Sequence, residues 1–130
     1  MQVEKRSLEV QRDMDFVRDI LRQIEKNPQA DRRHDIPYSN PEEMGIAGHT
    51  SDELVYHLDL LLDAGFVKAD TSSLPVIVRG LTWDGHEFLA NIINDDIWEQ
   101  TKKHFATAAD VSLKIIAEFA SQLLMKKFGL

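Results

Sequence analysis

The sequence has 130 residues, of which 43% are hydrophobic and 28% charged, with a net charge of −7 and no cysteine. This balance is typical of one soluble globular domain, and no apolar run approaches the roughly 20 residues that span a bilayer. The absence of cysteine excludes disulfide and thiolate chemistry, and the charged N-terminus is unlike a secretory signal, so we expect a cytoplasmic protein.

The negative charge is concentrated in the middle of the chain. Residues 36–101 contain two Lys or Arg against twelve Asp or Glu, whereas residues 1–35 are balanced and residues 102–130 are net basic. Because phosphate backbones are repelled by an acidic surface, this distribution disfavours nucleic acid as a partner of the central segment.

The first predicted helix covers about residues 12–26, in "RDMDFVRDILRQIEKNP". Apolar residues recur there at helical spacing, and Asn27-Pro28 ends the pattern. The preceding residues, 1–11, are more polar and are assigned to an N-terminal extension. Residues 27–49 hold three of the four prolines, so we expect mostly loop, with a short turn or strand around residues 42–46.

The second predicted helix covers residues 51–64. Thr50 and Glu53 have capping-box spacing, and Gly65 stands where a left-handed residue ends a helix. Segments 66–70 and 76–82 are predicted to be two strands joined by "TSSLP". Thr82 caps a third helix, and Asp84 favours its N-terminus.

The C-terminal region is predicted to be helical. Residues 95–104 either continue the third helix or start a new one, and the last helix covers about residues 108–127. This helix has more apolar residues than a surface helix needs, so it either packs within the chain or pairs with another chain, forming a homodimer or larger oligomer. The candidate interface residues are Val111, Ile115, Ile116, Phe119, Leu123, Leu124 and Phe128.

The order of the elements is that of a winged helix-turn-helix. We therefore predict a mainly α fold of the α+β class, with a small two-stranded β wing and a long C-terminal helix. The winged-helix domain is assigned to residues 12–94, and residues 95–130 to a C-terminal helical extension that is a candidate oligomerisation element.

Four stretches carry a resemblance to a known family: "RDMDFVRDIL", "YHLDLLLDAGFV", "LTWDGHEFLANIINDDIWEQTK" and "SLKIIAEFASQLLMKKFGL". Together they are similar to the family called domain of unknown function 2513, across about residues 12–130. The resemblance implies a winged-helix fold and a bacterial or prophage setting. It implies no activity, ligand or catalytic residue.

Conventional DNA recognition is disfavoured by the second helix. Recognition helices normally present Arg, Lys, Asn or Gln to DNA, whereas residues 51–64 contain four carboxylates and no Lys or Arg. We expect a non-enzymatic adaptor or regulator that acts by protein–protein contacts. The alternative is a sequence-specific DNA-binding regulator, whose candidate contacts are Arg32, Arg33, Ser51, Tyr56, His57, Lys68 and Arg79.

Chemical motifs are scarce. "RGLTWDGHEF" brings Asp84, His86 and Glu87 together, but the spacing is that of a capped helix start rather than of a catalytic site. The histidines lack metal-ligand spacing, and there is no nucleophile elbow, phosphate loop or dinucleotide motif, so we expect no enzyme activity, metal or cofactor. Trp83 and Trp98 both flank apolar helical positions and are expected to pack in the core.

Overall fold

The computed structural model describes residues 10–27, 35–108 and 110–129. In this part of the chain the fold is of the α+β class and mainly helical. The elements are α1 (Met14–Lys26), β1 (Ile36–Tyr38), a 3-10 helix (Pro41–Met44), α2 (Ser51–Asp63), β2 (Val67–Asp70), β3 (Val76–Leu81), α3 (Trp83–Ile92), α4 (Asp95–His104) and α5 (Leu113–Lys127).

The sheet has three antiparallel strands in the order β1-β3-β2, so the prediction of two strands was wrong. The additional strand pairs Ile36 with Val78 and Tyr38 with Val76. Its central residue is Pro37, which a strand tolerates because β1 lies at the edge of the sheet.

The starts of α1 and α2 are fixed by side-chain caps, and the cap predicted for α2 is confirmed. Asp13 precedes α1, and its side chain accepts a hydrogen bond from the backbone of Phe16 at 3.1 Å. Thr50 and Glu53 form the predicted capping box of α2, in which each side chain accepts a hydrogen bond from the other residue's backbone N–H. These bonds satisfy donors that the helix itself leaves unpaired.

Replacing Thr50 with alanine is expected to lower the free energy of unfolding by about 1 kcal/mol, because the backbone N–H of Glu53 loses its acceptor. Urea denaturation followed by circular dichroism measures the change. Thr107→Ala, at an exposed turn position, is the control and should stay within about 0.5 kcal/mol of the unsubstituted protein. Equal stability of the two variants would contradict the cap.

The turn after α2 and the start of α3 are in direct contact. The Thr82 hydroxyl accepts from the backbone N–H of Gly85 at 3.0 Å and donates to the carbonyl of Gly65 at 2.6 Å. The backbone N–H of Thr82 donates to the carbonyl of Phe66 at 3.0 Å. A Cβ at Gly85 would lie 2.0 Å from that same carbonyl oxygen, so only glycine allows the helix to approach this closely.

One hydrophobic core joins all five helices and the sheet. Its fully buried large side chains include Phe16, Ile20, Leu58, Phe88, Ile97 and Trp98. Residues 95–104 start a new helix, because the Asn94 side chain caps α4 by accepting from Ile97 N at 3.1 Å. Since α4 and α5 bury residues in the same core as α1, the predicted division at residue 94 does not coincide with a boundary in the packing.

Candidate functional site

The solvent side of α2 is acidic. Asp52, Tyr56, Asp59 and Asp63 are all exposed, and their spacing of four, three and four residues places them along one stripe of the helix. We call these four residues the acidic face of α2. The opposite side of the helix packs into the core, and α2 contains no Lys or Arg, so no cation of its own offsets these carboxylates.

The hairpin beside α2 adds little positive charge. Lys68 is exposed on β2, but Arg79 on β3 forms an ion pair with Asp35 at 3.0 Å. The hydroxyl of Ser51 donates to the carbonyl of Ser39 at 2.7 Å. Of these three predicted DNA contacts, Lys68 is the one whose side chain makes no hydrogen bond or ion pair with the described residues.

His57 was predicted as a DNA contact, and that prediction was wrong. Its side chain is fully buried, with 0% of its surface exposed. The ring bridges two backbone groups, lying 2.8 Å from the N–H of Asp13 and 2.7 Å from the carbonyl of Glu53. The helical pattern placed His57 beside Tyr56, but a rotation of 100° per residue turns the histidine into the core.

Of the three remaining predicted DNA contacts, Tyr56 lies among the described residues. Tyr56 is 36% exposed, and its ring meets the edge of His57 with the centroids 5.1 Å apart. Arg32 and Arg33 lie outside the described residues. Among the described residues, α2 and the hairpin therefore present Lys68 as an exposed cation without an ion pair, and no cluster of cations forms there.

Two arginines near the start of the described chain, Arg12 and Arg18, bond to groups in other parts of the protein. The guanidinium of Arg12 donates to the carbonyls of Ala108, at 3.1 Å, and Val111. Arg18 donates to the carbonyl of Ile92 and forms an ion pair with Asp95 at 3.0 Å. The Arg12 guanidinium joins the segment before α1 to the turn before α5, and the Arg18 guanidinium joins α1 to the end of α3 and the start of α4. Neither group is therefore free to contact phosphates.

Trp98 confirms the packing prediction, whereas Trp83 contradicts it. Trp98 is fully buried and its indole N–H donates to Asp15 at 2.8 Å. The ammonium of Lys102 also contacts this carboxylate at 2.8 Å, and this hydrogen bond is the main cause that holds the pKa of Asp15 below its usual range. Trp83 is 77% exposed, because it is the first residue of α3 and points away from the core.

A cleft of about 350 Å³ separates the acidic face of α2 from the start of α5. Tyr56, Leu60 and Asp63 form one wall, and Val111 and Lys114 belong to the other. The guanidinium of Arg12 lies between them and holds the turn before α5 in place. The outward side of α2 is therefore partly enclosed along its C-terminal half.

Helix α5 begins at Leu113, later than predicted, because Ser112 caps it and turns precede it. Ile116 of the predicted interface is fully buried within the chain, and Val111, Leu123 and Leu124 pack against the core. Phe119 stacks on His104 with the ring centroids 4.1 Å apart. The two others are exposed: Ile115 to 53% and Phe128 to 59%. Most of the predicted interface is therefore used to attach α5 to its own chain.

Neither a metal-binding cluster nor a membrane-spanning helix is found among the described residues. No group of three or more His, Cys, Asp or Glu side chains is arranged to hold a metal ion there. None of the helices in that part of the chain has the length and apolar character needed to cross a membrane.

Comparison with known proteins places the chain in a family. No solved structure matches it. An uncharacterized protein of Haemophilus influenzae is 35% identical over 120 residues, which cover 88% of this chain and 96% of that protein. The family model described as hypothetical protein (DUF2513) matches residues 11–111. The chain therefore belongs to the DUF2513 family.

Proposed function

We propose that the protein is a non-enzymatic winged-helix adaptor or regulator that acts by protein–protein contacts in the bacterial cytoplasm or a prophage context. The winged-helix assignment is supported by the element order α1, β1, 3-10 helix, α2, β2, β3 and by the sheet order β1-β3-β2. In this arrangement α2 occupies the recognition-helix position, and the β2–β3 hairpin is the wing.

The acidic face of α2 is the observation that carries this proposal. A recognition helix must enter a major groove about 12 Å wide and meet phosphates on both sides. Here the outward surface of α2 presents three carboxylates, and the start of α5 lies across a cleft from the C-terminal half of this surface. Both the charge and the shape favour a protein partner over duplex DNA.

The alternative, a sequence-specific DNA-binding regulator, has less support. It would rely on the basic side chains in and just before α1 and on the hairpin, where Arg12, Arg18 and Arg79 are engaged within the chain and Lys68 is exposed. Self-association through α5 is proposed as an additional contact, and the exposed Ile115 and Phe128 support it.

Reversing charge on the acidic face tests the proposal. The unsubstituted protein is expected to bind a labelled 30-base-pair duplex of mixed sequence more weakly than the ordinary non-specific range of about 10⁻⁴–10⁻⁶ M at physiological salt. Asp59→Lys combined with Asp63→Lys should strengthen binding at least about tenfold, with a steeper salt dependence, because the new cations lie on the recognition helix. Fluorescence anisotropy measures both quantities.

The control has the same change in net charge at a different place. Glu87→Lys combined with Glu118→Lys alters two exposed carboxylates on α3 and α5. This variant should gain much less affinity for the duplex than the α2 variant. Tight binding of DNA by the unsubstituted protein, or an equal gain in the two variants, would contradict the proposed function.

A further inference from the structure

We propose that His57 is an acid-sensitive latch that fixes the start of α1 against α2 and controls the cleft beside the acidic face of α2. The latch is inferred from the two hydrogen bonds that the imidazole makes. Its regulatory meaning rests on the proposed function, because it assumes that the acidic face of α2 is the binding surface.

The hydrogen bonds of His57 fix its protonation state. The backbone N–H of Asp13 is only a donor, so Nε2 of His57, 2.8 Å away, must accept. The carbonyl of Glu53 is only an acceptor, so Nδ1, 2.7 Å away, must carry the hydrogen. The buried ring is therefore neutral, with its hydrogen on Nδ1. It joins Asp13, the N-cap residue of α1, to Glu53 in the first turn of α2.

The groups around the ring favour this neutral form on balance. The side chains of Asp13, at the start of α1, and of Glu53, on α2, favour a charged ring, whereas His49, in the segment before α2, disfavours it. The rings of Phe16 and Tyr56 meet the imidazole edge-on, at 4.9 and 5.1 Å. Burial is the largest influence, and it holds the pKa of His57 below its usual value.

Protonation of His57 would break the link to α1. A hydrogen on Nε2 would face the backbone N–H of Asp13, so two donors would meet at a ring that has no exposed surface. The neighbouring residue, Arg12, holds the carbonyls of Ala108 and Val111. Release of residues 12 and 13 therefore also loosens the turn that forms the far wall of the cleft.

The direction of the pH dependence follows from the lowered pKa. In the opened or unfolded chain His57 has its ordinary pKa of about 6.5. The closed latch is fully stable above that pH. It loses stability as the pH falls from about 6.5 toward the lowered pKa of the closed state, because only the open state takes up the proton in this range.

Nuclear magnetic resonance of the intact protein tests the latch. At about pH 7.5 the imidazole nitrogen shifts should show Nε2 without a hydrogen and Nδ1 with one. Between about pH 7.5 and pH 5, amide exchange of Asp13 and Val111, corrected for the intrinsic pH effect, should accelerate at least about tenfold, while buried amides of α3 stay protected. His57→Phe, which lacks the acceptor, should show fast exchange at Asp13 already at the higher pH.

The matched control is His86→Gln, because His86 is a half-exposed histidine paired with Glu25 at 3.3 Å. This variant should keep the full pH dependence. A hydrogen on Nε2 at neutral pH, or pH-independent exchange at Asp13 in the unsubstituted protein, would overturn the latch even if His57→Phe did not fold. Opening at Asp13 with Val111 still protected would overturn its control of the cleft. Tight DNA binding would instead overturn the proposed function and leave these exchange results unchanged.

Discussion

Replacing Gly85 with alanine is expected to lower the free energy of unfolding by about 2–3 kcal/mol, although the same change stabilises an ordinary helix by about 1 kcal/mol. The new Cβ would lie 2.0 Å from the carbonyl oxygen of Phe66 and 2.9 Å from its carbon. That carbonyl accepts a hydrogen bond from Thr82 at 3.0 Å, so moving it away from the new methyl group would also weaken this hydrogen bond. Urea denaturation followed by circular dichroism measures the loss.

The reverse substitution in the same helix is the control. Ala90 is exposed on α3, and Ala90→Gly should cost about 1 kcal/mol through helix propensity alone. Glycine should therefore be preferred at position 85 and alanine at position 90. A Gly85→Ala protein as stable as the original would show that α3 does not approach the turn after α2 this closely.

The elements that the sequence predicts well are those with local signals. Helices α1 and α2 each have an apolar stripe, a capping residue and a terminating Asn-Pro or Gly, and all of these act within a few residues of the helix. Strand β1 has no such signal, because three residues with a central Pro37 show no alternation. Its identity as a strand comes from pairing with β3, some 40 residues away in the sequence.

In the candidate site too, a feature set by one short segment was predicted from the sequence, whereas features set by residues distant in the sequence were not. The acidity of α2 is a property of one short segment, so composition and helical spacing were sufficient to predict it. The burial of His57 follows from helical spacing, because it lies on the same stripe as Leu54 and Leu61, but its hydrogen bond with Asp13, which is 44 residues away, does not. The wall formed by Val111 depends on Arg12, from the opposite end of the described chain. Only the folded packing brings these residues together.

Trp98→Ala is expected to lower the free energy of unfolding by about 3–5 kcal/mol, the usual range for emptying a buried aromatic site. Trp98 is fully buried, and its indole N–H donates to Asp15 at 2.8 Å. The guanidinium of Arg18 lies 5.4 Å from the ring centroid. Alanine would leave a cavity between α1 and α4 and remove one hydrogen bond from the carboxylate. Urea denaturation measures the loss, and Trp83→Ala, at the 77% exposed tryptophan, should stay within about 0.5 kcal/mol.

The same variant decides whether residues 95–130 are an extension or part of the domain. Because Trp98 belongs to the core that also contains Phe16 of α1, its loss should destabilise both regions together. Amides in α1 and in α4 should lose equal protection against hydrogen exchange, and unfolding should remain a single transition. If α4 and α5 unfolded first while α1 to α3 kept their stability, the C-terminal helices would be a separate unit, and the core that joins them to α1 would contribute little to the cooperativity of the fold.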